Sequence, residues 1–464
     1  MAESKNRVKV HSKLTAVSSR PVGSGNKIHK FTALDHAMGL HSLHIVFYYK
    51  DNVLTDFDLD RARVSLSDTL SLYPQVTGRI ARNGDGNWEV KCNDAGVRVV
   101  KARVGAPFDE WLRSADGMEE KYLTVWDEMP EDPTNWSPFR IQINEFEGGG
   151  VAVGLSCTHM HADPLSLTLI FKSWIDTHRG RVIAHPPVCP GLELSTRPDS
   201  NPKTNSVTYY HAKSIARAAP TVKMATATFK FSNAILKQCL SGVSEICPDA
   251  TPFDFLGALF WTRVARIKGL KNYYRHSISI CTDFRKLLKK TSLHFGYYGN
   301  ALHFSMLSLG VGELNGYDVG HVVGELHRHV ASVDDDEIRS AVDWLESRKG
   351  EEDARYGPAF RMYGPELTCV NMDHMADSYG PNGRVVGPLM YDTAFVEGTD
   401  PVHVSYHVGN VEGEGLIVVM PSSEEGLARV VTVTLPENEL AELCEDQALL
   451  GLKPIMLLSG GRGC

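Results

Sequence analysis

The sequence predicts an α/β protein built from two domains of similar size. Segments with the alternation of β-strands occur between segments of helical periodicity in both halves of the chain. A stretch rich in proline, serine, threonine and asparagine separates the halves. The length of 464 residues also suits two or three domains.

Strands are predicted where apolar residues alternate or β-branched residues cluster. These segments are Leu43–Tyr49, Val97–Val104, Arg140–Phe146, Val151–Cys157, Ala225–Phe231, Ser277–Thr282, Val402–Val408 and Val430–Leu435. Helices are predicted over Leu59–Leu72, Leu165–Thr177, Phe253–Ile267, Val319–Val333 and Asp335–Arg348.

The proline-rich stretch sets the domain boundaries. From about residue 185 to 220 it contains Pro186, Pro187, Pro190, Pro198, Pro202 and Pro220. Connections longer than about 15 residues are uncommon inside one compact domain. We therefore predict domains over residues 1–184 and 221–464, a crossover linker over 185–220, and a ligand crevice between the domains.

Composition narrows the class of protein. The net charge of −8 offers no overall attraction for a polyphosphate, which disfavours nucleic-acid binding. Nine scattered cysteines without a CxxC pair indicate reduced thiols in the cytoplasm and no metal site. The start has no apolar signal region, and no stretch approaches the roughly 18 to 20 apolar residues of a membrane span. We expect a soluble, unprocessed protein.

Several common catalytic motifs are missing from the sequence. It has no GxxxxGK[ST] loop, no GxGxxG after a strand, no HExxH and no GxSxG. Nucleotide hydrolysis, zinc proteolysis and α/β-hydrolase chemistry are therefore disfavoured.

The pentapeptide HMHAD, His159–Asp163, is the strongest candidate for chemistry. It follows an apolar strand and precedes a predicted helix, which places His159 at the mouth of the crevice, where a general base belongs. A histidine with an ordinary pKa near 6.5 is largely neutral at neutral pH and can take a proton from a hydroxyl or amine that attacks an acyl group.

The alternative is that this pentapeptide is structural. Asp163 suits the N-cap of a helix whose first position is Pro164, and His159 is then a structural residue at a strand end. His161 is either a surface residue or a partner of the first imidazole.

Four segments, in order over residues 31–302, point to one family. FTALDHAMGLHSLHIVFYY at 31–49 and LSDTLSLYPQVTGRI at 66–80 come first. IQINEFEGGGVAVGLSCTHMHAD at 141–163 and SICTDFRKLLKKTSLHFGYYGNAL at 279–302 follow. In these segments the sequence resembles the BAHD family of plant acyl-CoA-dependent acyltransferases.

The resemblance implies a two-domain, chloramphenicol-acetyltransferase-like fold, with mixed sheets flanked by helices and a channel between the domains. It implies acyl-CoA as co-substrate, a hydroxyl or amine acceptor, no permanently bound cofactor, and a monomer. His159 takes the place of the general base. Asp163 takes a structural place, paired with Arg285, and Gly299 and Asn300 support the site.

The basic run beside Arg285 has two interpretations. It contains Lys286, Lys289 and Lys290. A solvated face is favoured, and contact with the phosphates of CoA is the alternative.

Two departures from the family pattern bear on catalysis. ELTCVNM at 366–372 aligns with the family's l-x-x-[ST]-S-W segment, so Val370 and Met372 replace a hydroxyl residue and a tryptophan. In the family that hydroxyl helps to hold the developing oxyanion, and loss of such a donor can cost roughly 10² to 10³ in rate. The signature DFGWG is also absent, and residues 391–404 read YDTAFVEGTDPVHV.

Three segments resemble one branch of the family, the Eceriferum and Glossy type wax proteins. They are residues 92–104, 367–374 and 397–421. This branch implies a non-catalytic partner of a fatty acid elongase condensing enzyme, peripheral at the endoplasmic reticulum, in very-long-chain fatty acid and cuticular wax synthesis. We favour the acyltransferase, because His159, Asp163, Arg285 and the Gly299–Asn300 pair are all present.

Overall fold

The structure is a computed structural model, and it describes residues 6–51, 53, 59–188, 204–216, 222–269, 274–286, 295–316, 319–350, 354–379 and 385–461. The strands are β1 Val8–Ala16, β2 Ile28–Lys30, β3 Ser42–Tyr49, β4 Arg79–Arg82, β5 Trp88–Lys91, β6 Val97–Pro107, β7 Phe139–Glu147, β8 Val151–Thr158, β9 Met224–Phe231, β10 Arg275–Asp283, β11 Leu302–Gly310, β12 Leu367–Asn371, β13 Ser378–Tyr379, β14 Val385–Gly387, β15 His403–Val408, β16 Leu416–Pro421, β17 Arg429–Pro436 and β18 Ile455–Leu457.

Helices lie between these strands along the chain. They are α1 Ala33–Ala37, α2 Leu59–Leu70, α3 Pro74–Thr77, α4 Phe108–Ser114, α5 Gly117–Glu120, α6 Pro164–Arg179, α7 Thr204–Ile215, α8 Asn233–Val243, α9 Pro252–Ile267, α10 Val311–Gly316, α11 Val319–Ser332, α12 Asp335–Glu346, α13 Glu437–Cys444 and α14 Gln447–Leu450. None of the helices that the structure describes combines the length and apolar character needed to cross a membrane.

The first large sheet has the strand order β1-β6-β7-β8-β3-β15. Five of its strands come from the first half of the chain. The sixth, β15, comes from the second half and pairs antiparallel with β3, from His403 opposite Tyr48 to Val408 opposite Leu43. The second half of the chain therefore closes one edge of the first sheet.

The second large sheet has the order β11-β10-β12-β16-β17-β9-β18. Its central pairs β10–β12 and β12–β16 are parallel, and the pairs β10–β11 and β16–β17 are antiparallel. All eight predicted strands and all five predicted helices are present. The mixed sheets flanked by helices agree with the predicted α/β class.

Each large sheet packs its own hydrophobic core. One core joins the inner face of the first sheet to α6, with Phe47, Val153 and Trp174 fully buried. The other joins the second sheet to α9. Full burial of one large apolar side chain contributes about 1.5–3 kcal/mol, so these cores stabilise both sheets strongly. The first core also includes Tyr363 and Val370 from the second half, so it fixes the two halves against each other.

The predicted linker contains a helix, α7. Tyr209 and Tyr210 of α7 are buried, and the Tyr210 hydroxyl accepts a hydrogen bond from the backbone N–H of Phe304 at 3.1 Å. Residues 189–203 and 217–220 of the linker lie outside the described residues. The domain boundaries at 184 and 221 stay a prediction.

Candidate active site

His159 follows the last residue of β8 and is fully buried. Its backbone N–H donates to the carbonyl of His41 at 2.9 Å, which continues the pairing of β8 with the β3 side of the sheet. Its ring atom Nε2 shares a hydrogen bond with the hydroxyl of Tyr363 at 2.8 Å. The two rings are stacked, with centroids 5.6 Å apart. The imidazole is thus fixed in one orientation and already engages a hydroxyl group.

Burial also sets the protonation state of this imidazole. Removal from water disfavours the charged ring and lowers the pKa of His159 to about 4, although the charge of Asp163 and hydrogen bonding with Asn300 act in the opposite direction. The ring is therefore neutral at neutral pH and able to accept a proton.

Asp163 is the N-cap of α6, as predicted. Its Oδ1 accepts the N–H of Ser166 at 2.8 Å, and Pro164 occupies the first helical position. Its Oδ2 accepts two hydrogen bonds, one from Arg285 Nη1 at 2.7 Å and one from the backbone N–H of Ala301 at 2.9 Å. Burial alone raises the pKa of the Asp163 carboxyl, but the charge of Arg285 and these hydrogen bonds hold that pKa below its usual value.

Arg285 is buried and lies at the centre of a charge cluster rather than on an exposed loop. Its Nη1 contacts both Asp163 and Asp283, so one guanidinium nitrogen serves two carboxylates. Its Nη2 donates to the carbonyls of Tyr297 and Gly299 at 3.0 and 3.2 Å. Arg285 makes one hydrogen bond to Asp163 rather than a bidentate pair, because the other carboxylate oxygen, Oδ1, caps the helix.

Gly299 and Asn300 both lie in this cluster. Gly299 has a φ of +135°, and an added Cβ would lie 3.0 Å from the Tyr297 hydroxyl, so a side chain is disfavoured there. The Asn300 amide Nδ2 donates to the carbonyl of His159 at 2.8 Å and to Asp35 Oδ1 at 2.7 Å. Asn300 thereby fixes the backbone of His159 from the second half of the chain.

Two residues of the site were not predicted. Asp35 of α1 anchors Asn300 and forms a capping box with Thr32, and the T-x-x-D spacing in the sequence is the signal for that box. Tyr363 lies in a loop that is held by Lys213 of α7. The Lys213 Nζ donates hydrogen bonds to three carbonyls of this loop, those of Arg361, Met362 and Gly364. No motif in the sequence points to Tyr363.

The remaining predicted residues occupy defined places. His161 is buried and bonds to Tyr298 and to the carbonyl of Gln75, so the surface interpretation is wrong. Val370 and Met372 are buried in the first core, and neither supplies a hydroxyl. Lys286 is exposed, whereas Lys289 and Lys290 lie outside the described residues.

A cavity of about 460 Å³ opens beside the C-terminal end of β8. His41, Cys157 and Thr158 line it, but His159 is not among its lining residues, so this cavity does not show the predicted placement of His159 at the mouth of a crevice. This volume lies within the range of small-molecule sites.

Comparisons with known proteins agree with this architecture. The sequence pattern of the Transferase family matches residues 8–450. The chain is 27% identical over 448 residues to Protein ECERIFERUM 26-like of Arabidopsis thaliana, which covers 95% of each protein. It is 28% identical over 413 residues to a hydroxycinnamoyltransferase of Narcissus pseudonarcissus, which covers 86% of this chain and 90% of that protein.

A solved structure shares the fold. TRI101 of F. sporotrichioides, complexed with coenzyme A and T-2, superposes with a TM-score of 0.69 at 14% identity, over 92% of this chain and 99% of that one. This likeness confirms the predicted two-domain fold. The family match spans nearly the whole sequence and includes every residue of the cluster around His159. The chain therefore belongs to the Transferase family, the BAHD acyltransferases that its motifs resemble.

Proposed function

We propose that this protein transfers an acyl group from an acyl-CoA thioester to a hydroxyl or amine, with His159 as general base. The observation that carries the proposal is the hydrogen bond between His159 Nε2 and a hydroxyl at 2.8 Å. This is the separation a general base needs to take a proton from an attacking group. The hydroxyl belongs to Tyr363, which stands in for the acceptor.

The cluster around His159 supports this role. Arg285 and two backbone or cap hydrogen bonds engage the Asp163 carboxylate, so it is not available to draw the proton from the imidazole. Asn300 fixes the carbonyl of His159. Positioning of this kind lowers the activation barrier, because it holds the reacting groups in a productive geometry.

The reaction balances without a covalent enzyme intermediate. The acceptor oxygen or nitrogen bonds to the thioester carbonyl carbon, and its proton passes to His159 Nε2. The carbon–sulfur bond then breaks, and the CoA thiolate takes the proton from the imidazole. Acyl-CoA is a co-substrate, and the proposal takes the protein as a cytoplasmic monomer without a permanently bound cofactor.

Tyr363→Phe is expected to lower the KM for the acceptor by about 3-fold to 10-fold with little change in kcat. An acceptor hydroxyl must displace the Tyr363 hydroxyl from Nε2, and one such hydrogen bond is worth about 0.5–1.5 kcal/mol. Steady-state kinetics with the acceptor varied would measure the effect. Tyr356→Phe is the control, because its hydroxyl bonds to Glu346 instead. A kcat that falls with an unchanged KM would contradict displacement.

A second function is favoured by a separate observation. The ECERIFERUM 26-like relative matches over 95% of both proteins, and Val370 and Met372 stand where the family pattern has a hydroxyl residue and a tryptophan. These features support a non-catalytic partner of a fatty acid elongase condensing enzyme, peripheral at the endoplasmic reticulum, in wax synthesis.

Genetic rescue separates the two functions. Wild type and His159→Ala are expressed at matched levels in a plant line that lacks the protein, and surface waxes and soluble acyl conjugates are profiled. We expect only the wild type to restore a missing ester or amide. Equal restoration of the longest wax chains by both would overturn the catalytic proposal and support the elongase partner.

A further inference from the structure

A second cavity, of about 530 Å³, lies on the outer face of the first sheet. We call it the β1–β6 groove. Val8, Val10 and Val100 form its floor, and Met118 and Tyr122 also line it. Val100 alternates with Val99, which belongs to the core on the inner face. The groove therefore opens on the side of the sheet opposite the core that packs against α6.

Three apolar side chains along this groove are about half exposed. Val10 is 49%, Met118 47% and Tyr122 48% exposed. Exposed apolar residues that are scattered singly need no explanation, but a contiguous set in a concave surface marks a binding site. The volume falls within the range of sites for single small molecules, which favours one bound chain over a flat contact.

Two arginines, Arg98 and Arg140, lie side by side at one end of the groove. Lys13, Arg98, Lys121 and Arg140 line it, and Asp127, bound to Arg140 at 2.7 Å, is the one carboxylate among its lining residues. The strand pairing shows where these residues lie along the groove. Arg98 lies opposite Thr15 and Arg140, whereas Val10 and Val8 pair with residues further along β6. The arginine pair thus marks one end of the groove, whereas Lys13 lies opposite Val100 and Lys121 is next to Tyr122 in the chain.

The cations also repel one another. Arg98 lies close enough to Arg140 to lower the pKa of its guanidinium, although burial is the larger cause and the charge of Asp127 acts more strongly in the opposite direction. A bound anion relieves this repulsion, and the effect is strongest at low ionic strength.

We propose that the β1–β6 groove binds a single-chain anionic amphiphile, with its carboxylate or phosphate at the Arg98 end and its hydrocarbon chain along Val10, Met118 and Tyr122. This inference is independent of acyl transfer at His159. A fatty acid and a lysophospholipid share the required chemistry.

Isothermal titration of the full chain with oleate, below the concentration at which oleate forms micelles, tests the proposal. Arg98→Glu and Lys13→Glu, both at exposed positions, are each expected to weaken oleate binding about tenfold, and added salt is expected to weaken it in the wild type. Val10→Asp is expected to weaken it at the apolar end. Lys237→Glu, an equal charge change on exposed α8, is the control and should bind as the wild type does.

The preferred head group is identified by comparing the affinities of oleate and oleoyl lysophosphatidate. Tighter binding of oleate indicates a carboxylate, and tighter binding of oleoyl lysophosphatidate indicates a phosphate. Oleyl alcohol, which has the same chain and no charge, should bind at least tenfold more weakly than oleate. Equal binding of oleate by wild type and Arg98→Glu would overturn the proposal. Binding to anionic vesicles without binding of monomeric oleate would also overturn it, because the surface would then contact a membrane.

Discussion

Arg285→Leu is expected to lower the free energy of unfolding by about 3–5 kcal/mol. The substitution leaves Asp163 and Asp283 buried without their shared cation. It also removes the donors to the carbonyls of Tyr297 and Gly299, which hold the turn that carries Asn300. Breaking a buried pair by removing one partner costs far more than the pair is worth, because the remaining charge has no compensation.

Chemical denaturation at pH 7 would measure this loss. Arg328→Leu is the matched control, because Arg328 is exposed and paired with Glu325 at the surface, where an ion pair contributes about 0–1 kcal/mol. The double variant Asp163→Leu with Arg285→Leu should recover part of the stability lost in the single variant. Equal losses for Arg285→Leu and Arg328→Leu would show that the buried cluster does not contribute as the structure indicates.

The loss should depend on pH in a defined direction. The pKa of Asp163 is depressed in the folded protein, so its contribution is present above the unfolded pKa near 3.9 and is lost as the pH falls through the folded value. In Arg285→Leu the buried Asp163 carboxyl protonates more readily, because the charge that holds its pKa down is gone, and protonation relieves the cost of burying it. The difference between wild type and variant should therefore shrink as the pH is lowered toward 4 and below.

The fold could be predicted to the extent that it depends on local pattern. Alternating strands such as β6 and β17 and amphipathic helices such as α12 lie where the periodicity placed them. The strands β1, β11, β12 and β16 are among those that were missed. Of these, β12 and β16 are central strands buried on both faces, and they read as short apolar runs without alternation. The transfer of β15 to the first sheet depends on long-range pairing that no local pattern encodes.

The residues of the candidate active site also divide into those that a local pattern predicts and those that long-range contacts bring together. His159 and Asp163 share one strand-to-helix turn, so spacing alone brings them together. Arg285 and Asn300 were found through a family resemblance, since they approach from the second half of the chain. Tyr363 is 204 positions from His159 and reaches it because Lys213 of α7 holds its loop. Contacts of this kind follow from tertiary packing, and only the structure reveals them.

His159→Ala is expected to lower kcat for acyl transfer by about 10² to 10⁴, the usual contribution of a positioned general base. The variant removes the proton acceptor and the imidazole partner of the Tyr363 hydroxyl, so folding must be checked alongside. His11→Ala, at an exposed position on β1, is the control and should retain full activity. Unchanged turnover in His159→Ala would rule out the imidazole as the base.

The pH profile of the wild type gives a second and independent test of the same role. A base must be unprotonated to act, and burial lowers the pKa of His159 to about 4. The value of kcat/KM should therefore rise as the pH increases through about 4 and be level from roughly pH 6 to neutrality. An exposed histidine with an ordinary pKa near 6.5 would instead place the rise between about pH 6 and 7. The position of this limb distinguishes a base buried behind Tyr363 from one that opens to solvent before the proton is transferred.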